Sequence, residues 1–312
     1  ILWFTSRGGV NPVQEVTQRA TNVITGGGGF NFPEDVPGKE NLSKLRQGCP
    51  FRDCIPSIDN PQFETVSEAD KWLKSDDIVF SLDYKGEARA YPQRILNWHE
   101  IANDVVAGDP IVISFCPLCG SALAHDRQVS GQTLEFGVSG KLKDNDLIMY
   151  DRQTESLWQQ ITGEAIVGEL FGKKLTQISM DGMRWSQFKK EHPGGKVLSR
   201  DTGFSRDYDR YPYGSYEQDT SVLFPVEGGV DQTIHPKTVV YGIEVSGAFK
   251  AYPEEKLQAA GEVEDTLGGV SIRISLKNGN IFAENLDTNE EIVTTRLFWF
   301  AWKAFRPETE LY

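Results

Sequence analysis

An internal repeat constrains the fold of this 312-residue chain more than any other feature of its sequence. When the sequence is shifted by 161 positions, residues 78–114 align without a gap on residues 239–275. Identical residues occupy 11 of the 37 aligned positions, and they include Tyr91 with Tyr252 and Asp104 with Asp265. A repeat of this length predicts a supersecondary unit that occurs twice.

Each copy begins with the pattern of a β-hairpin followed by a short helix. Residues 78–84 and 239–245 are rich in β-branched and aromatic residues, and a glycine follows each run at the predicted turn. A second short strand ends at Pro92 or Pro253, where the fixed φ angle of proline suits a first helical turn. In copy one, apolar residues then recur with helical spacing over 93–102.

A further strand, 111–115 in copy one, completes the predicted unit. We therefore predict an α+β fold, mostly β, in which the unit is duplicated over about 78–126 and 239–287. A loop-rich insertion without a counterpart, roughly 128–238, is expected between the copies. The aromatic run at 297–305 is expected to be a buried closing element.

Charge and composition narrow the class of protein. The net charge is −13 and no block of Lys or Arg occurs, which argues against nucleic acid as a partner. No run of about 20 apolar residues is present, so the chain as given is not expected to span a membrane. The glycine- and proline-rich residues 1–50 are predicted to be an extended arm, with 51–312 as one globular domain. Ile1 is not a methionine, which fits an N-terminus cleaved from a signal or anchor.

The two copies differ where chemistry is expected. His99 of copy one corresponds to Ala260 of copy two, and the Cys116–Cys119 stretch corresponds to a segment that starts at Lys277 and has no cysteine. Because copy two lacks all three side chains, the unit itself does not need them to fold. The three are therefore predicted to form a site that holds one transition-metal ion, zinc or copper. Taken alone, a histidine on the apolar face of a helix, as His99 is predicted to be, is more often a core residue than a metal ligand.

The Cys-x-x-Cys pair is compatible with two chemistries. It could be a metal-binding knuckle on a tight turn, or a redox dithiol at the start of a helix. The corresponding stretch of copy two reads as a hairpin turn, which favours the knuckle. Two thiolates and His99 leave a fourth position open, for which His125 and Asp126 are the candidate ligands. A thiol-disulfide protein that cycles Cys116 and Cys119 stays as an alternative, and so does a structural or adhesive surface module with a structural metal.

Polar and aromatic side chains are dense in the region between the copies. Arginine and tyrosine on loops offer forked hydrogen-bond donors and flat surfaces, which suit recognition of a carboxylate, a sugar or a peptide. A solvated loop held by salt bridges is the alternative. The candidate substrate-binding residues are Arg152, Arg200, Arg206, Tyr208 and Tyr211.

The remaining cysteines, Cys49 and Cys54, could form a local disulfide, stay as free thiols, or join Cys116 and Cys119 in a four-thiolate zinc site. Sequence spacing does not decide among these arrangements.

Several motifs resemble a known family. They are Asn97-Trp98-His99-Glu100, Cys116-Pro117-Leu118-Cys119-Gly120, Phe136-Gly137-Val138-Ser139-Gly140, Met149-Tyr150-Asp151-Arg152-Gln153-Thr154 through Trp158, Ser199-Arg200-Asp201-Thr202-Gly203 and Trp299-Phe300-Ala301-Trp302. Together they resemble the bacterial and archaeal family called domain of unknown function 3179 (DUF3179), and the likeness extends from about residue 55 to the end.

The resemblance implies a secreted or membrane-anchored protein, and it names no reaction. Cys49 and Cys54 depart from the family's usual pattern, which weakens the four-thiolate site and favours a local disulfide. The expected function is thus an extracytoplasmic metal-binding protein with a His-Cys-Cys site, of which a metal-dependent oxidoreductase is one form.

Overall fold

The computed structural model describes residues 29–277 and 280–312. Strands hold 41% of the described residues and helices 13%, which confirms the predicted α+β, mostly β class. The α-helices are α1 (Val66–Ala69), α2 (Gln93–His99), α3 (Trp185–Glu191), α4 (Glu254–Ala260) and α5 (Trp299–Phe305), and a 3₁₀ helix covers Lys39–Lys44.

The strands are numbered in chain order. The first twelve are β1 (Arg46–Gln47), β2 (Phe63–Thr65), β3 (Ile78–Tyr84), β4 (Glu87–Pro92), β5 (Ile101–Val106), β6 (Asp109–Cys116), β7 (Ser121–Asp126), β8 (Gln128–Val129), β9 (Gln132–Thr133), β10 (Phe136–Lys143), β11 (Asp146–Asp151) and β12 (Leu157–Gln159). The others are β13 (Ala165–Val167), β14 (Gln177–Ile178), β15 (Asp181–Arg184), β16 (Lys196–Leu198), β17 (Val239–Val245), β18 (Ala248–Pro253), β19 (Glu262–Leu267), β20 (Val270–Lys277), β21 (Asn280–Asn285), β22 (Glu291–Ile292), β23 (Thr294–Phe298) and β24 (Glu310–Leu311).

The duplicated unit is present with matching boundaries. Hairpin β3–β4, helix α2 and hairpin β5–β6 of copy one correspond to β17–β18, α4 and β19–β20 of copy two. The predicted helix over 93–102 is too long, because α2 ends at His99 and Glu100 takes a left-handed conformation. Strand β5 begins at the next residue, so each unit contains a second hairpin where one strand was predicted.

The structure extends the repeat beyond the sequence alignment. Strand β15 pairs with β3 and leads into α3, as β23 pairs with β17 and leads into α5. Strands β16 and β24 then run parallel to β4 and β18. Residues 181–198, expected to lack a counterpart, therefore form the second part of copy one and match 294–311. The insertion that has no counterpart in copy two begins after β7 and ends before β15.

Strands from both copies build the central sheet. Its path runs β24-β18-β17-β23-β7-β6-β5, and β14 pairs with β7 off this path. Strand β23 of copy two joins the strands of the two copies into one sheet, since Arg296 of β23 pairs with Ala122 of β7 in copy one. The reciprocal contact lies between β15 and β21, where the Asp181 carboxylate accepts a hydrogen bond from the Ile281 N–H at 2.5 Å. The aromatic run that includes Phe298, Trp299 and Trp302 is buried in the core, as predicted.

Strands β10 to β13 of the insertion form a second sheet, and β1 of the N-terminal segment adds to its edge in the order β1-β10-β11-β12-β13. Asp144 and Asn145 have φ angles of 50° and 69° and make the two-residue turn between β10 and β11, as both central residues of a type I′ turn require. This tight turn fixes Asp146 as the first residue of β11.

The predicted arm, 1–50, lies outside the described residues up to residue 28. Its described part, 29–50, is not an extended arm. It contains the 3₁₀ helix and strand β1, which pairs with β10, and it buries Phe30, Val36 and Leu45 against the insertion. In the part of the chain that the structure covers, no helix has the length and apolarity that crossing a membrane requires.

Candidate metal centre

The two cysteines of the knuckle lie on a hairpin turn. Cys116 ends β6 and pairs with Ser121, the first residue of β7, so the turn between them has four residues, one of which is Cys119. In copy two the matching strands close between Lys277 and Asn280, which leaves two residues between them. Copy one therefore carries a longer turn at this place, and the turn brings the second thiol next to the first.

The structure brings a third ligand-bearing residue to this turn. One ligand atom each of Cys116, Cys119 and Asp146 lie within 4.8 Å of one another, and all three residues are buried. Asn145 links the β10–β11 hairpin to the cysteine turn, because its carbonyl accepts a hydrogen bond from Cys116 Sγ at 3.3 Å. Its side-chain amide exchanges two hydrogen bonds with the backbone of Phe224, both at 2.8 Å. The tip of the β10–β11 hairpin is thus fixed over the knuckle.

The Asp146 carboxylate is only half satisfied. Its Oδ2 accepts hydrogen bonds from the Ile161 N–H at 3.0 Å and from the Gln159 side-chain amide. Its Oδ1 is buried and has no hydrogen-bond partner. Burial raises the pKa of Asp146 to about 7, and burial also raises the pKa of the Cys119 thiol. A cation at this point would supply a positive charge and so stabilise the ionised forms of the carboxylate and the two thiols.

The donor set fits a soft divalent ion. Thiolate sulfur and carboxylate oxygen are both ordinary ligands of zinc, and three protein ligands leave a fourth position open. An unsatisfied buried oxygen is costly in a folded protein, so the free Oδ1 of Asp146 is a reason to expect a ligand there.

Two buried tyrosines lie beside the cluster. The Tyr216 hydroxyl donates to the Leu118 carbonyl within the knuckle at 2.9 Å, and the ammonium group of Lys237 lies 3.5 Å from the centre of the Tyr216 ring. The Tyr213 hydroxyl donates to the Glu100 carboxylate at 3.4 Å, and Glu100 is itself buried. The nearby groups are thus polar, although the site is shielded from solvent.

His99 does not lie in the cluster. Its ring is fully buried, with Nδ1 2.8 Å from the Pro56 carbonyl and Nε2 2.7 Å from the Tyr208 hydroxyl. Since Nδ1 must donate to the carbonyl, Nε2 accepts from Tyr208, and both nitrogens are occupied. Burial lowers the pKa of His99 to about 4. The predicted His99–Cys116–Cys119 set is therefore not assembled in this structure, and Asp146 stands where His99 was expected.

The two candidate fourth ligands are also elsewhere. His125 and Asp126 follow one another on β7, and neither belongs to the cluster. His125 is buried beside a cleft of about 510 Å³ whose lining includes Gln177 and Trp302. Asp126 accepts a hydrogen bond from the Gln128 N–H at 2.8 Å.

Other side chains hold the candidate substrate-binding residues Arg152 and Tyr208 in place. Arg152 donates to Asp59 at 2.7 Å and to Ser57 at 2.9 Å, beside a surface cleft of about 550 Å³. Tyr208 bonds His99 and, at 2.5 Å, Thr202.

Arg200 pairs with Asp209 at 3.1 Å and lies over the rings of Trp72 and Tyr208. Arg206 lies over Phe204 and donates to the Ser205 carbonyl at 2.8 Å. Tyr211 lines a small cleft of about 210 Å³ with Asn97. Tyr208 lines this cleft as well, whereas Arg152 lines the other one, so the candidate residues do not converge on a single cleft.

Cys49 and Cys54 form the local disulfide, with their Cα atoms 6.4 Å apart, while Cys116 and Cys119 are free thiols. A site with four thiolates is therefore excluded, because two of the four sulfurs are bonded to each other.

Sequence reasoning missed Asp146 as a member of the cluster. Asp144 and Asn145 are residues typical of a tight turn, but nothing in the sequence says that this hairpin lies over the knuckle.

Comparison with known proteins gives a family and no relative of known activity. Neither the curated proteins nor the solved structures contain a match to the chain. A family model described as "Protein of unknown function (DUF3179)" matches residues 52–294, which include the knuckle, Asp146 and most of both copies. The chain therefore belongs to the DUF3179 family.

Proposed function

We propose that this protein binds one divalent transition-metal ion, zinc in the first place, between Cys116, Cys119 and Asp146, and that it works outside the cytoplasm. The proposal keeps the cysteine pair of the sequence prediction and replaces His99 by Asp146. The observation that carries it is the buried cluster of two free thiols and a carboxylate whose Oδ1 lacks a partner.

The donors favour zinc over copper. Two thiolates and a carboxylate oxygen are a zinc set, whereas the copper sites of electron-transfer proteins use histidine together with cysteine. Zinc has no redox chemistry of its own, so this donor set supports metal binding more directly than it supports a metal-dependent oxidoreductase.

The test is elemental analysis of protein purified without a chelator. We expect close to one equivalent of metal in the parent protein and a loss of metal in Cys116→Ser, Cys119→Ser and Asp146→Asn. His99→Gln is the matched control, since it alters a buried polar residue outside the cluster and should keep the metal. Metal below about a tenth of an equivalent with both thiols reduced would contradict the proposal. Loss of metal in the His99 variant and in both cysteine variants, with metal kept in Asp146→Asn, would instead support the His-Cys-Cys set.

A structural role for the ion is the second candidate. The thiols belong to the β6–β7 hairpin of copy one, and Asp146 belongs to the insertion, so the ion would tie these two parts together. The complete burial of all three ligands favours such a role. It predicts that removing the ion loosens the insertion, which hydrogen exchange of β10 and β11 amides would detect.

Thiol-disulfide exchange receives less support. An attacking thiol must be exposed and partly ionised, whereas Cys116 and Cys119 are buried and burial raises the pKa of Cys119. Slow alkylation of both thiols in the native protein is expected, and rapid labelling of Cys116 would revive the redox alternative.

The extracytoplasmic location rests on Cys49–Cys54. Disulfides persist in oxidising compartments and are rare in the cytoplasm, and the bonded pair lies within the folded chain. Thiol labelling of cell fractions before and after reduction would test it, with the protein expected outside the cytoplasm and this pair protected until reduction.

A further inference from the structure

A cleft of about 510 Å³ lies where copy one, the insertion and copy two meet. Each of these parts contributes side chains to its lining: His125 of β7, Lys174 and Leu175 of the insertion, and Trp302 and Arg306 of copy two. The Gln177 side-chain amide crosses from the insertion to copy two, where it donates to the Thr294 carbonyl at 3.3 Å and to the Thr295 hydroxyl at 3.1 Å. The walls are thus tied together, and a junction of this kind is a usual place for a small-molecule site.

His125 is a buried polar side chain in this lining that lacks a hydrogen bond. Its side chain is 1% exposed, and its Nδ1 is buried without a partner. Burial lowers the pKa of His125 to about 4, so the imidazole is uncharged at neutral pH and offers one donor and one acceptor. A buried polar atom without a partner is costly, which is a reason to expect a ligand beside it.

The fold does not require a histidine at this position. Val112, the partner of His125 across the β6–β7 hairpin, aligns with Arg273 of copy two, and the partner of Arg273 is Glu284. Those two side chains contact each other at 3.4 Å. Copy two therefore fills the equivalent position with a paired residue, whereas copy one carries an unpaired imidazole.

Two cations of the lining also have unused capacity. The Arg306 guanidinium donates from Nη1 to a backbone carbonyl at 2.9 Å and from Nη2 to Glu244 at 3.4 Å, whereas its Nε is buried without a partner. Lys174 is exposed and forms no ion pair with a described residue. The two carboxylates of the lining are engaged, Glu244 by Arg306 and Glu291 by the Ser179 hydroxyl. The unused groups are thus mainly donors and positive charge, which suit a carboxylate ligand.

Apolar side chains form much of the remaining lining. They are Ile161, Leu175, Val245, Ile292, Val293 and Trp302. The Trp302 ring lies beside the cation, since the Arg306 guanidinium carbon is 5.7 Å from the ring centre. An apolar surface next to unused donors suits a molecule with an apolar body and one acidic group.

We propose that this cleft binds a small carboxylic acid with an apolar body, of the size of an aryl-acetic acid. Lys174, Arg306 and the N–H of His125 hold its carboxylate, and the apolar body lies against Trp302. The site is separate from the proposed metal centre, with which it shares no lining residue. Because the ligand touches all three parts of the chain, its binding also stabilises their packing.

The test is isothermal titration calorimetry of the full chain with benzoate, phenylacetate and indole-3-acetate, and with the amide of each. We expect saturable binding of at least one of the acids, with its amide about 10-fold weaker, because the amide has no charge to pair with the cations. The same acid should raise the midpoint of thermal unfolding, since it binds the folded chain alone.

Two variants with matched controls locate the site. His125→Leu removes a buried unpaired nitrogen, so it should fold with at least the stability of the parent while it binds the acid about 10-fold more weakly. Lys174→Gln removes an exposed charge and should weaken binding about 2- to 5-fold. The controls His235→Leu and Lys173→Gln change exposed residues outside the cleft and should bind the acid as the parent does.

Three results would overturn the proposal. The first is the absence of saturable binding of all three acids at millimolar concentration, and the second is equal affinity for an acid and its amide. The third is parent-like affinity in both His125→Leu and Lys174→Gln, which would place the bound acid elsewhere on the protein.

Discussion

The duplication provides a matched pair of charged networks whose energies can be compared within one molecule. In copy one, the Arg89 guanidinium contacts both oxygens of Asp104 at 2.5 Å, and the Tyr91 hydroxyl donates to Asp104 at 2.6 Å. In copy two, Lys250 contacts Asp265 at 2.8 Å and the Tyr252 hydroxyl donates to it at 2.9 Å.

Burial is the main difference between these networks. The side chains of Arg89 and Asp104 are 8% and 5% exposed, whereas those of Lys250 and Asp265 are 14% and 21% exposed. Breaking a buried ion pair by removing one partner costs about 3–5 kcal/mol, because the other charge stays buried and unpaired. Glu87 also contacts Arg89, at 2.5 Å, which places the expected cost of Asp104→Asn near the lower end, about 3 kcal/mol. For Asp265→Asn, water can solvate Lys250, so we expect about 1 kcal/mol.

The assay is urea denaturation followed by tryptophan fluorescence and circular dichroism, with each variant compared with the parent protein. The expected result is a free energy of unfolding that falls about three times as far for Asp104→Asn as for Asp265→Asn, with a similar dependence on urea. Equal losses in the two variants would refute the reasoning that burial sets the energy of the pair. A loss below about 1 kcal/mol for Asp104→Asn would refute it as well.

Further predictions concern packing, pH and metal. A Cβ on Gly242 would lie 2.3 Å from a ring carbon of the buried Trp302, so Gly242→Ala should cost about 1–3 kcal/mol in urea denaturation, while Gly194→Ala, with open space around its Cβ, should cost almost nothing. Burial lowers the pKa of His125 from 6.5 to about 4, so the unfolded chain takes up the proton first and stability is lost as the pH falls from 6.5 to 4. That loss, up to about 3 kcal/mol, should shrink in His125→Gln and persist when the exposed His235 is changed to Gln. Finally, a chelator should lower the midpoint of thermal unfolding and added Zn²⁺ should restore it, and unchanged midpoints would contradict a bound ion.

The local pattern of residue types was sufficient to predict the strands that the two copies of the repeat share. The hairpin strands begin and end near the predicted positions, because alternating β-branched and aromatic residues bounded by Gly86 and Gly247 leave few other conformations. The second hairpin was missed in part because Ala102 continues the apolar spacing of α2. The left-handed turn at Glu100 breaks that helix, and sequence gives little warning of it because the residue is not glycine.

The site was predicted only as far as it is local. Cys116 and Cys119 lie on one turn, so their spacing in sequence fixes their proximity in space. Asp146 belongs to another hairpin, and its position beside the cysteines depends on how the insertion packs on copy one. The spacing of apolar residues in the sequence does not predict that packing. His99 was assigned to the site because copy two lacks it, but the same difference is equally compatible with its bonds to Pro56 and Tyr208.

The two reciprocal contacts between the copies, β23 with β7 and β15 with β21, have the form of a two-fold interface within one chain. A lone unit of this kind would reach the same closure only by associating with a second copy, at a concentration-dependent cost. Fusion makes that association intramolecular and permanent. It also frees the halves from being identical, so one half can carry buried thiols and an unpaired histidine while its partner, which has neither, supports the fold.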